Sequence, residues 1–337
     1  MHLTALVDHP DHVCCRYRLA AFRPYLERAG CSLDLVSLPR RWWGRVWLYR
    51  RLHGASVILQ RRLLPAWELE RLRQAARRLL FDADDAVFLR DSYAARGLHS
   101  ARRLRRFIAT VRACDAVVAG NDFLAAHAAR WTAPACVHVI PTCVDPTTYP
   151  AERAASSGAG VRLVWVGSSS TLRSLEALRP TLEEIGRRVP GAHLKLICDR
   201  FLRFDRLPVV ERRWDAASEA AEIAAADVGV CCVPDDDWSR GKCALKVLQY
   251  MAAGLPVVAN PVGVHKEMVR HGETGFLADT ASEWVDAVAR LAREPELRRR
   301  MGAAGRRLAE ERYSVPVGAE QWLDLLQELR RGERRAG

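Results

Sequence analysis

Lysine is nearly absent from this chain of 337 residues, which has only Lys195, Lys242, Lys246 and Lys266. Its 52 basic against 40 acidic residues give +12 with histidines neutral, and almost all of the excess is arginine. Such a balance favours anionic partners: nucleic acid, an acidic membrane face or a phosphate-bearing substrate. Most of the arginines are scattered as on a solvated helix surface. No aromatic–basic binding module is visible, so nucleic acid is not expected. Where arginine is so strongly preferred, three lysines between Lys242 and Lys266 mark a site that needs a compact point charge.

Other absences narrow the class. The longest uncharged run, residues 247–265, is broken by Gly254, Pro256, Asn260, Pro261 and Gly263, so it reads as helix, turn and strand rather than a membrane span. The opening MHLTALVDHP has no basic leader or cleavage site and reads directly as a strand. Ten cysteines occur with no CxxC and no zinc spacing, and the vicinal pairs Cys14–Cys15 and Cys231–Cys232 suit no disulfide framework. A reduced, cytoplasmic protein is expected. At 49% hydrophobic and 27% charged, the composition excludes disorder, collagen-like repeats and coiled coil. The length makes two domains the default.

Short apolar runs alternate with amphipathic stretches, the pattern of a mostly parallel sheet covered on both faces. LTALVD, SLDLVSL, SVILQ, RLLFDAD, DAVVAG and CVHVIP read as strands of a first domain, with helices at residues 17–29, 67–78 and 122–130. VRLVWVG, HLKLIC, VGVCCVP and PVVAN read as strands of a second, with helices at residues 172–188, 217–226 and 244–253. The expected division is a first domain at 1–148, a linker at 149–160, a second domain at 161–315, and a final helix and tail at 316–337. Ligands of such doubly wound domains bind outside the carboxyl ends of the strands.

Residues 240–277, RGKCALKVLQYMAAGLPVVANPVGVHKEMVRHGETGFL, describe a phosphate site. Gly241 permits close backbone approach at the start of a helix, whose free N–H groups and dipole attract anions. Lys246 lies in the first turn, with Gln249 and Tyr250 on the same face. Gly254 closes the helix, and Pro261–Gly263 forms a second glycine turn, followed by Val264. Behind that turn, Glu267 can accept hydrogen bonds from sugar hydroxyls.

This segment resembles the family 4 glycosyltransferases through K-x-L-x-x-M-A-A-G-L-P-V-V-A-x-x-V-G-x-x-x-E-x-V-x-x-G-x-T-G-F-L. GNDFLAAH, VIPTCVD and RYSVPVGAEQWLDLL extend the likeness over most of the chain. The resemblance implies a GT-B fold, α/β, with two Rossmann-like doubly wound domains facing a central cleft. It also implies that a last helix, at residues 317–329, crosses back to brace the N-terminal domain. It implies a retaining glycosyltransferase that uses a nucleoside diphosphate sugar as co-substrate, with no other cofactor and no metal.

The departures from the family pattern matter as much. Two glutamates eight positions apart are common around the donor sugar of family members, and here those positions hold Gly241 and Gln249. Gln249 can still hydrogen-bond a ribose, but without charge. Asp235, Asp236 or Asp237 could read the sugar instead. Where the family places an arginine and a lysine for the diphosphate, this chain has Gly167, Ser168, Ser169, Ser170 and Thr171, then Arg173. Such a hydroxyl run entering a helix can cradle an anion, or simply cap the helix. The diphosphate is expected between that run and Lys242 and Lys246.

In the first domain, the loop HPDHVCCRYR offers Arg16 toward the diphosphate or acceptor, against plain surface solvation. In FDADD, Asp84 and Asp85 are candidates to orient or deprotonate the acceptor hydroxyl, with Lys246 as the third catalytic candidate. Asp82 and Asp84 also spell D-x-D, a metal signature of the GT-A fold, but the rest of the sequence argues for GT-B. PRRWWGRVWLYRRLHG combines Trp42, Trp43 and Trp47 with five arginines. It reads either as an interfacial element or as a helix turning its indoles into the core or acceptor cleft.

The expected function is transfer of a sugar to an acceptor hydroxyl. The expected partners are a nucleotide sugar donor, a glycan or lipid-linked acceptor, and an anionic membrane met peripherally on its inner face. A nucleotide-sugar epimerase of the same fold would need acid–base groups acting on the sugar ring. A non-catalytic nucleotide-sugar-binding protein would fit the exchanged glutamate positions.

Overall fold

The computed structural model describes residues 1–150 and 160–336. Most of the expected linker, residues 151–159, lies outside the described residues. The chain forms two units: Met1–Cys143 with Asp236–Cys243 and the segment from Val315 on, and Val144–Asp235 with Ala244–Ser314.

The first unit holds β1 (His2–Val7), β2 (Ser32–Ser37), β3 (Ser56–Gln60), β4 (Arg78–Ala83), β5 (Ala116–Ala119) and β6 (Val137–Val139). They form one parallel sheet in the order β2-β1-β3-β4-β5-β6. Successive side chains alternate between the sheet's faces, and helices cover both, so the inner strands are apolar throughout. Leu6, Leu59, Leu79, Phe81 and Val117 join one core, and Leu3, Ala5, Ile58, Leu80 and Val118 the other. Each buried Leu, Ile, Val or Phe side chain contributes about 1.5–3 kcal/mol of transfer free energy.

The second unit holds β7 (Arg162–Val166), β8 (His193–Cys198), β9 (Val209–Arg213), β10 (Val228–Cys231), β11 (Val257–Ala259) and β12 (Gly275–Leu277). Their order is β12-β11-β10-β7-β8-β9, again all parallel. Strand order reverses beside β1 in the first sheet and beside β7 in the second. Ligands of doubly wound sheets bind at such reversal points, outside the carboxyl ends of the strands.

Several elements differ from the sequence reading. Residues 17–29 form no continuous helix. A helix starts earlier, at Val13–Arg18, because the His12 side chain accepts the Cys14 N–H, and a second begins at Arg23–Arg28 with Pro24 in its first turn. Residues 172–188 split into Leu172–Ala177 and Arg179–Arg188 because Pro180 has no N–H to continue the ladder. The sequence reading omits the helix Ala101–Ala113, whose arginines mask a stripe of Phe107, Thr110 and Val111, and the short edge strands β9 and β12.

The final helix, Val315–Ala336, returns to the first unit and buries Trp322, Leu325 and Leu326 against Leu3, Ala5 and Phe22. The segment Asp236–Cys243 also packs in the first unit, not in the second domain that residues 161–315 outline. Three contacts explain it. The Asn121 amide donates to the carbonyls of Lys242 (3.0 Å) and Arg240 (3.4 Å). The Cys243 thiol donates to the Asp84 carbonyl, 3.3 Å away. Gly241 lies so close to Ala86 that a Cβ would come within 2.7 Å of the alanine methyl and 2.9 Å of its nitrogen. Gly241 therefore permits the close approach of this segment to Ala86.

Candidate active site

In the second unit the candidate residues gather at the carboxyl ends of β7 and β11. Gly167 ends β7, where any Cβ would collide with the Trp165 ring and the Thr171 hydroxyl. In the run that follows, Thr171 Oγ1 accepts the Ser168 N–H (3.3 Å) and donates to the Ser168 carbonyl (3.1 Å). The Ser169 N–H donates to Asp199 Oδ1 at 2.6 Å. These bonds give the Ser168 and Ser169 amides acceptors within the chain. The hydroxyls of Ser168 and Ser170 remain at the surface, 2.7 Å apart. Asp199, just past β8, was missed in the sequence. The Ser169 hydroxyl and N–H hold its carboxyl below the ordinary value.

Lys246 occupies the first turn of the helix Leu245–Ala252. Its ammonium donates to Thr171 Oγ1 at 3.3 Å and lies 4.3 Å from the centre of the Trp165 ring. Lys246 thus lies beside the hydroxyl run, whereas the expectation also set Lys242 there. Ala244, just before this helix, has φ of +47°, a left-handed conformation costly for a residue with a Cβ. Gln249 and Tyr250 are buried on the inner side of the helix. The Tyr250 hydroxyl accepts the Val166 N–H and faces the Val230 carbonyl, tying β7 to β10. Arg173 is exposed on the helix Leu172–Ala177.

Beyond β11, Gly263 turns with φ of +55°, Val264 is buried, and Glu267 is exposed on the short helix His265–Met268. Two residues that the sequence reading gives no role at the site fix this loop. The Asn260 amide donates to the Val233 carbonyl (2.7 Å) and accepts the Val233 N–H (3.1 Å). Buried His265 donates from Nδ1 to the Asn260 carbonyl at 3.0 Å, leaving Nε2 facing the Cys231 thiol.

In the first unit the carboxyl ends of β1, β3 and β4 carry two buried ionic clusters. Arg18, not Arg16, is the buried arginine of the first loop. It binds Asp82 at 2.5 Å and donates to the Ile140 carbonyl, and both partners of the ion pair are fully buried. Gln60 also donates to Asp82, at 3.2 Å. Asp82 is therefore committed to internal partners, which removes one half of the D-x-D pair. Arg16 is half-buried beside Tyr17.

The second cluster contains Asp84 and Asp85. Arg61 binds Asp85 Oδ2 at 2.7 Å and approaches Asp84 Oδ1 to 3.1 Å. That second approach is too poorly aligned for a hydrogen bond, so buried Asp84 Oδ1 has no hydrogen-bond partner among the described residues. Lys242 lies 3.8 Å from Asp85 Oδ1. Burial pushes the Asp85 carboxyl above its ordinary value, against the pull of Lys242 and Arg61. The structure therefore places Lys242 with Asp85 in the first unit and Lys246 with Thr171 in the second. Arg61 was missed in the sequence. Its φ of +59° makes it, with Ala244, one of two non-glycine residues with positive φ among the described residues, and such strain concentrates at functional sites. Asp236 caps the helix Asp237–Arg240 and Asp237 pairs with Arg240, so both have local roles.

Two parallel six-stranded sheets with flanking helices define a GT-B fold. Sucrose-phosphate synthase from Thermosynechococcus elongatus has the same fold over 98% of this chain and 100% of its own, with a TM-score of 0.78 at 18% identity. Anabaena Alr3699/HepE, solved in complex with UDP-glucose, matches with a TM-score of 0.69 at 15% identity, covering 97% and 99% of the two chains. Residues 150–294 match the family of glycosyl transferases group 1. Trehalose synthase from Pyrococcus horikoshii is 35% identical over 85 residues, which is 25% of this chain and 20% of that protein. The chain thus spans about a fifth of the length of that relative.

Proposed function

We propose that this chain moves a sugar from a nucleoside diphosphate sugar to an acceptor hydroxyl, with retention of configuration and without a metal ion. The observation that carries the reading is Lys246. Its ammonium is anchored on Thr171 just past the carboxyl end of β7, at the reversal point of the sheet within the residues that match the group 1 glycosyl transferases. The HepE complex with UDP-glucose supports a nucleoside diphosphate sugar as donor class.

In this proposal Lys246 neutralises the diphosphate as negative charge develops on it, with the Ser168 and Ser170 hydroxyls as further donors. Gly263, Val264 and Glu267 form the loop that meets the sugar, and Arg173 adds positive charge at the rim. Asp84 receives the acceptor hydroxyl through the oxygen that has no hydrogen-bond partner. Arg61 and Lys242 hold Asp85 and set the local charge, and Arg16 supplies a cation on the acceptor side.

The test is a screen of nucleotide sugars that reads the released nucleoside diphosphate, followed by Lys246→Ala. A charge-assisted contact is worth about 1.5–3 kcal/mol, so donor affinity and transfer should fall at least tenfold while the fold persists. Undiminished affinity for the nucleoside diphosphate would remove Lys246 from the site. Appearance of an isomerised nucleotide sugar, with no diphosphate released, would convert the reading to an epimerase.

A further inference from the structure

The helices Trp42–Arg51 and Ala66–Ala75 pack together in the first unit. Their inner seam is fixed by buried Glu68, which accepts from the Tyr49 hydroxyl at 2.7 Å and pairs with Arg45 at 3.2 Å. Outside that seam stand four indoles, with Trp42 62% exposed, Trp43 57%, Trp47 60% and Trp67 45%. The structure thus overturns the reading of Trp42, Trp43 and Trp47 as core residues. Trp42 and Trp67 meet edge to face at 6.3 Å, which joins the two helices into one aromatic surface.

Arginines accompany the rings. Arg41 lies over Trp43, Arg51 over Trp47 at 4.7 Å, and Arg71 over Trp67. No acidic residue occurs between Asp34 and Glu68, and Glu68 is already neutralised by Arg45. Arg40, Arg41, Arg50, Arg51 and Arg71 have no acidic partner among the described residues. A cavity of about 450 Å³ opens between the helices, lined by Val46, Tyr49, Arg50, His53, Arg71 and Gln74. It is open to solvent and brings the guanidinium groups of Arg50 and Arg71 to one place.

We infer that this face rests on an anionic bilayer surface, its indoles at headgroup depth and lipid phosphate contacting Arg50 and Arg71 at the cavity. Indoles prefer the membrane–water boundary, and unpaired arginines gain from the negative leaflet. Charge decides against a second copy of the chain, since a two-fold contact would set the same arginines against each other. No helix of the described residues is long and apolar enough to cross a membrane, so the contact would be peripheral. The inference does not depend on the proposed catalysis.

Vesicle co-sedimentation of the full chain tests it, with phosphatidylcholine alone or mixed with phosphatidylglycerol, at low and high salt. Binding is expected only to the mixed vesicles at low salt. Arg50→Gln with Arg71→Gln should weaken it about thirtyfold, roughly fivefold for each arginine. Replacing Trp42, Trp43, Trp47 and Trp67 with Ala should abolish it, and circular dichroism checks that each variant folds. The arginine pair tests the idea even where the tryptophan variant fails to fold. Equal binding to neutral and anionic vesicles, or none to either, would overturn the inference. So would a dimer in sedimentation equilibrium that the arginine variant leaves intact and the tryptophan variant disrupts. Nucleoside diphosphate affinity should be unchanged in both variants, which separates this outcome from a failure of the catalytic proposal.

Discussion

At the scale of single residues, Arg16 and Arg18 are two positions apart and indistinguishable by composition, yet only Arg18 is buried. A guanidinium without water needs a partner at each nitrogen, and Asp82 together with the Ile140 carbonyl provides this. Arg18→Leu leaves Asp82 charged and uncompensated and should cost about 3–5 kcal/mol in urea unfolding. Adding Asp82→Leu should recover much of that loss. The same pair bears on metal dependence, because Asp82 has no oxygen to offer an ion while Arg18 and Gln60 hold it. Activity should therefore survive EDTA. Loss on chelation, with rescue by manganese alone, would refute that assignment.

At the scale of elements, the segment Asp236–Cys243 explains a departure from the family pattern. The position where the resemblance places a glutamate holds Gly241, packed on Ala86 with no room for a Cβ. A glutamate there would have to displace the segment from the Asn121 amide and the Asp84 carbonyl. Gly241→Ala should lower stability by about 1–3 kcal/mol through overpacking, measured by thermal unfolding. It should also disturb Lys242 and the Asp85 it faces. An alanine variant with wild-type stability would mean that Ala86 yields without cost. The hydroxyl run teaches a related lesson. Its residue types signal an anion cradle, but the Ser169 amide is already engaged by Asp199, thirty positions away.

At the scale of the whole molecule, the chain builds its first unit from segments far apart in sequence, closing it with Val315–Ala336. Trp322 is 1% exposed within that core. Trp322→Ala should cost about 3–5 kcal/mol, read as early unfolding of the first unit in a denaturant series. Unchanged stability would mean that the returning helix is an accessory.

Alternating apolar runs and helices, with their turn residues, determined two doubly wound sheets, because alternation and strand length are local properties of the chain. The position of Lys246 was legible too, since a helix start lies close in sequence to the residues that define it. The partnerships of Arg18 with Asp82, Arg61 with Asp84 and Asp85, and Ser169 with Asp199 were not. They join positions separated by 23 to 64 residues, the extremes being Arg61–Asp84 and Arg18–Asp82. The surface exposure of the tryptophans was likewise undecided by their spacing. It was settled when Tyr49 and Arg45 turned inward to Glu68, because one helix face can meet only one neighbour.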